Sequence, residues 1–142
     1  MKRSLFLTAF FCTLLITDIS AQDTRTRTIS QESLISQQKA EVKNIQYLFF
    51  RYTSAVEDGD GENIKVTRDV LVEAMQAEAD QTVSLSNKSN DPEIAKRSKK
   101  QLEIIKKVNA DSFLSAGIES NKSLVDGFVD LMESELPSSS KN

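Results

Sequence analysis

The stretch that decides the fold is ISQQKAEVKNIQYLFFRYTSAV, residues 35–56. Its apolar side chains recur at alternating intervals of three and four residues, which places them on one side of an α-helix. Glycines follow at residues 59 and 61, and glycine can take the left-handed conformation that ends a helix. The pattern predicts one long helix over residues 31–56. Its stripe consists of Ile35, Gln38, Val42, Ile45, Phe49, Tyr52 and Val56.

Three further segments show helical periodicity, over residues 62–85, from residue 91 onward, and over residues 122–135. The clearest start signal is Asp91 followed by Pro92. Asp caps the first free amides of a helix, and Pro fits the first helical position because no amide partner is needed there.

The sequence leaves several helix boundaries undetermined. β-Branched residues between 64 and 72 leave room for a short extended start, and residues 84–90 are expected to form a loop. The third segment either continues past Asp111 or restarts there, and Ser120 or Asn121 is expected to cap the fourth. Long helices joined by short connectors pack antiparallel. We therefore expect an all-α, up-down antiparallel helical bundle of four helices, or of three with a kinked long third helix.

The N-terminus has the order of residues found in a secretory signal peptide. Lys2 and Arg3 precede an apolar run over residues 5–16, and the small Ala21 precedes the expected cut. The apolar run is too short for a membrane-spanning helix, which needs about 20 residues. We expect cleavage near Ala21 and a periplasmic or secreted protein with no transmembrane segment in the mature chain.

The domain organisation follows from that cut. Residues 1–21 are the signal peptide, residues 22–29 a flexible leader, residues 30–136 the helical bundle and residues 137–142 a disordered tail. The only cysteine of the chain, Cys12, lies in the signal peptide. The mature chain therefore has to be stabilised by packing without disulfide bonds.

The amino-acid composition argues against several classes of catalytic and binding site. The chain has no histidine, which removes the commonest general base and metal ligand. Its net charge of −3 gives no general attraction for nucleic acid. No glycine-rich phosphate loop occurs. We therefore expect neither an enzyme nor a bound cofactor.

The connector between the first two helices resembles a calcium-binding loop in part. Asp58, Asp60 and Glu62 occupy alternate positions, and Asp69 is the twelfth residue counted from Asp58. An EF-hand loop has oxygen ligands at its first, third, fifth and twelfth positions. However, its sixth position is a glycine, where this chain has Asn63, and its twelfth is usually Glu. The other interpretation is an acidic connector between two helices.

The third helical segment is rich in cations. One interpretation is a basic surface that binds an anionic surface, such as lipid headgroups or a polyanion. The other is charge complementarity with the acidic second helix, since six cations over three turns are not expected to face one way. The cations are Lys96, Arg97, Lys99, Lys100, Lys106 and Lys107.

Aromatic residues cluster in the first helix. Phe49 and Tyr52 fall on the apolar stripe, whereas Tyr47 and Phe50 do not, so at least one of the latter two is expected to be exposed. Exposed aromatic side chains mark surfaces that bind partners or ligands. The other interpretation is a broad core stripe.

Taken as a sequence, the chain indicates an exported non-catalytic helical protein that binds another protein or assembles with itself, in the cell envelope or outside the cell. The stripe of the first helix resembles a coiled-coil seam in which Gln38 would fix the register. The alternative is a helical bundle that binds a small ligand or calcium.

Overall fold

The computed structural model describes residues 16–134, with side chains described from residue 33 onward. The first part of the predicted signal peptide and the predicted tail lie outside these residues. Five helices make up the described chain, and the predicted all-α bundle is confirmed. They are α1 (Ile16–Asp58), α2 (Gly61–Ser89), α3 (Pro92–Val108), α4 (Asp111–Ser115) and α5 (Ile118–Glu133).

The chain divides into two compact units, one up to Gln37 and one from Gln38 onward. In the described part of the first unit the backbone is helical, and Leu34 is exposed. The second unit contains the rest of α1 and helices α2 to α5. None of the helices in the described part of the chain combines the length and the apolar character needed to cross a membrane.

Three helix boundaries in the structure differ from those that the sequence predicts. The helix α1 begins at Ile16, so residues 22–29, predicted as a flexible leader, are helical; they contain no Gly or Pro. The helix α2 has no extended start and continues through the predicted loop to Ser89. It ends only where Asn90 takes a left-handed conformation with φ 52°.

The third boundary concerns α5, which begins at Ile118 rather than at residue 122. Its N-cap is Gly117, which makes no side-chain capping bond. Neither Ser120 nor Asn121 is the cap. Of the two outcomes left open for the third segment, the chain restarts at Asp111 as the short helix α4.

Long-range hydrogen bonds show that neighbouring helices run antiparallel. About midway along α1, Gln38 donates to the Met132 carbonyl at 2.8 Å, and towards the C-terminal end of α1 Tyr52 accepts a hydrogen bond from Asn121. Residue numbers therefore rise along α1 as they fall along α5. In the same way, Arg68 near the start of α2 donates to the Asn109 carbonyl just after α3.

The core lies where the inner faces of these helices meet. It contains residues from α1, α2, α3, α4 and α5, including Met75, Val108 and Phe128, which have no exposed surface. The apolar stripe of α1 supplies four of its members. The buried apolar residues are Val42, Ile45, Phe49, Tyr52, Ala55, Leu71, Met75, Ala79, Ile105, Val108, Phe113, Val125, Phe128, Val129 and Met132.

A buried polar cluster fixes the short helix α4 to the bundle. The Tyr52 hydroxyl donates to the Phe113 carbonyl at 3.4 Å, and Asn121 Nδ2 donates to the same carbonyl at 2.8 Å. Asn121 Nδ2 also donates to the Tyr52 hydroxyl at 3.2 Å. Burial raises the pKa of Tyr52, against the hydrogen bond from Asn121 and the charge of Arg68, which both lower it.

Replacing the hydroxyl in this cluster tests its contribution to stability. We expect Tyr52→Phe to lower the free energy of unfolding by about 1–3 kcal/mol, because the hydroxyl loses two buried hydrogen bonds, one donated to the Phe113 carbonyl and one accepted from Asn121. The raised pKa means that stability is fully present below about pH 10 and falls as the pH rises further, since the unfolded tyrosine ionises first. Tyr52→Phe should remove this alkaline loss. Urea unfolding followed by circular dichroism at neutral and alkaline pH measures both effects.

The matched control is Tyr47→Phe, because Tyr47 is exposed on the same helix. It should change neither the stability nor its alkaline dependence. Equal losses in the two variants would contradict the assignment of Tyr52 to a stabilising buried cluster.

Candidate functional site

The acidic connector is a tight helix–helix junction. Only Gly59 and Asp60 separate α1 from α2, and Gly59 has a φ of +70°, which favours glycine. Asp60 is the N-cap of α2, where its Oδ1 accepts from the Asn63 amide at 3.1 Å. Because Asp60 caps α2, this helix begins at the next residue, Gly61. Residues 61–69 are therefore helical and do not form a loop.

The four carboxylates of the predicted calcium loop are therefore not brought together in a loop. Asp58 ends α1 and Glu62 lies in the first turn of α2. Asp69 lies more than two turns into α2 and accepts from Arg68 Nε at 2.8 Å. Among the described residues, no group of three or more His, Cys, Asp or Glu side chains could hold a metal ion. The chain therefore resembles an EF-hand only in the sequence spacing of these carboxylates.

The helix α3 starts where the sequence predicts, with Asp91 accepting from the Glu93 amide at 2.8 Å and Pro92 in the first turn. This start fixes which side chains face the core, namely Ser98, Gln101, Ile105 and Val108. Leu102 and Ile104 are partly buried against the core, and the lysines of α3 are exposed. The cap and the core positions together determine the direction of every cation on α3.

Five of the six cations share the outward side of α3, and the six do not all face one way, as expected, because Arg97 points elsewhere. At 3.6 residues per turn the five lysines fall within about 120° of the helix circumference. Only Arg97 lies outside this sector; it is half-buried. We call the five the lysine row: Lys96, Lys99, Lys100, Lys106 and Lys107, all exposed.

An acidic row occupies the outward side of the neighbouring helix α2. It consists of Glu62, Asp69, Glu73 and Asp80, all exposed. Within the described chain, Asp69 is paired with Arg68, and Asp80 accepts from Gln76 at 2.7 Å. Glu103 is the one acid that lies inside the lysine row.

The lysine row is not used to pair with the acidic row of the same chain. Lys96 approaches Glu93 of its own helix at 4.0 Å. The other four lysines have no ion pair among the described residues. Charge complementarity between neighbouring helices, one of the two interpretations of these cations, therefore does not take the form of direct ion pairs from the lysine row.

The aromatic cluster of α1 splits between core and surface. Phe49 and Tyr52 are buried and stack on each other, with ring centroids 6.0 Å apart. Tyr47 and Phe50 are 54% and 63% exposed. The two exposed rings are three residues apart and so lie on the same side of the helix.

The apolar stripe of α1 is occupied within the chain. Val42, Ile45, Phe49 and Tyr52 are buried in the bundle's own core. Gln38 donates to the Met132 carbonyl, so its amide is engaged within the chain. Residues 42–52 of the stripe are therefore covered within the chain.

Two features of the surface and interior were missed at the sequence level. Val66, Val70 and Leu85 of α2 are large, apolar and exposed. Val66 and Val70 are four residues apart and off the core face, a spacing that could have revealed them. By contrast, no sequence signal marks Asn121 as a buried partner of Tyr52.

Comparison of the chain with protein-family models, with curated proteins and with solved structures finds no match.

Substituting the capping carboxylate separates a structural role from a metal-binding one. We expect Asp60→Ala to lower the free energy of unfolding by about 1 kcal/mol, because α2 loses its N-cap. The loss should be the same with added calcium and with a chelator, as measured by thermal unfolding. A stability difference that appears only in calcium would contradict the capping role and support the calcium interpretation.

Proposed function

We propose that this chain is an exported, non-catalytic helical protein that binds another protein in the cell envelope or outside the cell. The observation that carries the proposal is the exposure of Tyr47 and Phe50, at 54% and 63%, on the outer side of α1. Leaving two large rings in water forgoes the free energy of burying them, about 25 cal/mol per Å² of apolar surface. A partner that covers the rings would recover part of it.

The surroundings of the two rings have the composition of a protein interface. Lys43 and Arg51 are exposed, each four residues from Tyr47, and residues 42–56 contain no acid. Tyr, Phe and Arg are enriched at protein interfaces, and Tyr and Arg are frequent among the residues that dominate binding energy. The chemistry favours a partner surface with an apolar centre and acidic groups at its rim.

The surface is carried by a firmly held helix segment. The opposite side of α1 is buried in the core, and Tyr52 is tied to α4 and α5 by hydrogen bonds. A surface that is already ordered loses little conformational entropy on binding. This supports recognition of a folded partner through side chains that keep their positions.

A binding role is also favoured by the residues that the chain lacks. Without histidine and with Cys12 as its only cysteine, it has neither an imidazole general base nor a thiolate for catalysis in the bundle. The order of residues 1–21 supports export.

Export predicts a defined N-terminus. The chain isolated from its native host should begin at Gln22, because Ala21 precedes the expected cut. Intact-mass spectrometry of the protein from the envelope and from the medium would give both the terminus and the compartment. A cytoplasmic chain that retains Met1 would contradict export.

Site-specific photo-crosslinking tests the binding surface. A photoreactive phenylalanine analogue placed at Tyr47 or Phe50 should yield one discrete crosslinked protein in intact cells of the native host. The matched control is the same analogue at Leu85, which is 49% exposed but lies on α2. Adducts at all three positions, or at none, would contradict a surface centred on Tyr47 and Phe50.

A second candidate, binding of a small polar ligand in the bundle, is favoured by two buried oxygens. Asn121 Oδ1 and Gln101 Oε1 have no hydrogen-bond partner among the described residues. Leaving such an atom unpaired costs about 1–3 kcal/mol, which a bound polar molecule would offset. Native mass spectrometry of the purified chain, with and without a chelator, would show such a ligand as added mass.

A further inference from the structure

Two rows of opposite charge lie on neighbouring helices of the same chain. The acidic row is on α2 and the lysine row on α3, and each is on the side of its helix away from the core. The bond from Arg68 to the Asn109 carbonyl places the start of α2 beside the end of α3. The rows therefore run side by side in opposite directions.

The rows also match in spacing. Glu73 and Asp80 are seven residues apart, as are Lys99 and Lys106. Seven residues are close to two turns of an α-helix, so each pair spans about 10 Å along one side of its helix. Carboxylates at this separation can meet lysines at the same separation without bending either helix.

A broad anionic surface is a poor fit to the lysine row. Helices pack about 8–10 Å apart, and the Debye length at physiological salt is about 8 Å. A membrane resting on α3 would therefore also sense the acidic row, and Glu119, Asp126 and Asp130 of α5 add exposed acids on another helix that contacts α3. The chain as a whole carries a net charge of −3. The occupant that fits is a single acidic helix.

We propose that this occupant is the acidic row of a second copy of the chain. A two-fold axis along the groove between α2 and α3 places the α2 of each copy on the α3 of its partner. Each acidic row then faces a lysine row, twice in one dimer, as the self-complementarity of a two-fold interface requires. The dimer interface uses α2 and α3, whereas Tyr47 and Phe50 lie on α1. An experiment that excludes the dimer therefore leaves the proposed binding surface on α1 unaffected.

Paired charge reversals test this dimer. One variant carries Lys99→Glu and Lys106→Glu, and the other carries Glu73→Lys and Asp80→Lys. We expect the unchanged chain from Gln22 onward to dimerise at about 0.01 M salt and to dissociate at about 1 M, where the Debye length falls to about 3 Å. Each variant alone should be a monomer at low salt, with a dissociation constant raised at least tenfold, because like charges then face each other.

A mixture of the two variants gives the most stringent test of the proposed pairing between the rows. In the mixture, the reversed positions on α3 of one variant face the reversed positions on α2 of the other with opposite charge, so a heterodimer should form at low salt. Sedimentation velocity of each variant and of an equimolar mixture measures this. All four substituted side chains are exposed, and circular dichroism confirms that each variant is folded.

The control variant carries Lys39→Glu and Lys88→Glu, which change the net charge by the same amount as the lysine-row variant but lie outside both rows. It should dimerise like the unchanged chain. Any of three results would overturn the proposal. The unchanged chain could be a monomer at every salt concentration, it could form a dimer that is insensitive to salt, or the mixture of the two variants could stay monomeric. Sedimentation with phosphatidylglycerol vesicles that is lost on Lys99→Glu and Lys106→Glu would overturn it in favour of a membrane.

Discussion

Burial of the apolar stripe of α1 is the interaction on which the rest of the bundle depends. Ile45, Phe49 and Tyr52 lie where α1 meets the other helices, and each large apolar side chain contributes about 1.5–3 kcal/mol when it is removed from water. The chain has a single cysteine, Cys12, so no disulfide can form within it. Without this helix, the inner faces of α2, α3 and α5 would have no common partner.

This use of the stripe determines what remains for function. Because the inner side of α1 is occupied, any partner has to meet the outer sides of the helices, where Tyr47, Phe50 and the two charged rows lie. The polar cluster of Tyr52, Asn121 and the Phe113 carbonyl holds α1, α4 and α5 in one arrangement. The outer surfaces are therefore presented by helices whose positions are fixed from within.

The sequence predicts the parts of the fold that depend on local chemistry. The three-four spacing of α1 identified its buried side, and Asp91 with Pro92 identified the start of α3. The direction of the lysines could not be judged until the core positions of α3 were known, since one side of a helix is defined only by the side that is buried. The spacing of Asp58, Asp60, Glu62 and Asp69 suggested a loop. In the structure Asp60 caps α2, and Glu62 and Asp69 lie within that helix. Asn121 was expected at a helix end because Asn often caps helices, but a partner distant in sequence, Tyr52, determines its place.

Hydrogen exchange of the purified chain at two widely separated concentrations, both in about 1 M salt where the proposed α2–α3 dimer is dissociated, tests most directly whether the stripe of α1 is buried within a single copy. Global burial in the core predicts that the amides of residues 42–56 are among the slowest to exchange, and equally slow at both concentrations. Protection of these amides that falls on dilution would contradict the account, because it would show that the stripe is covered by another copy.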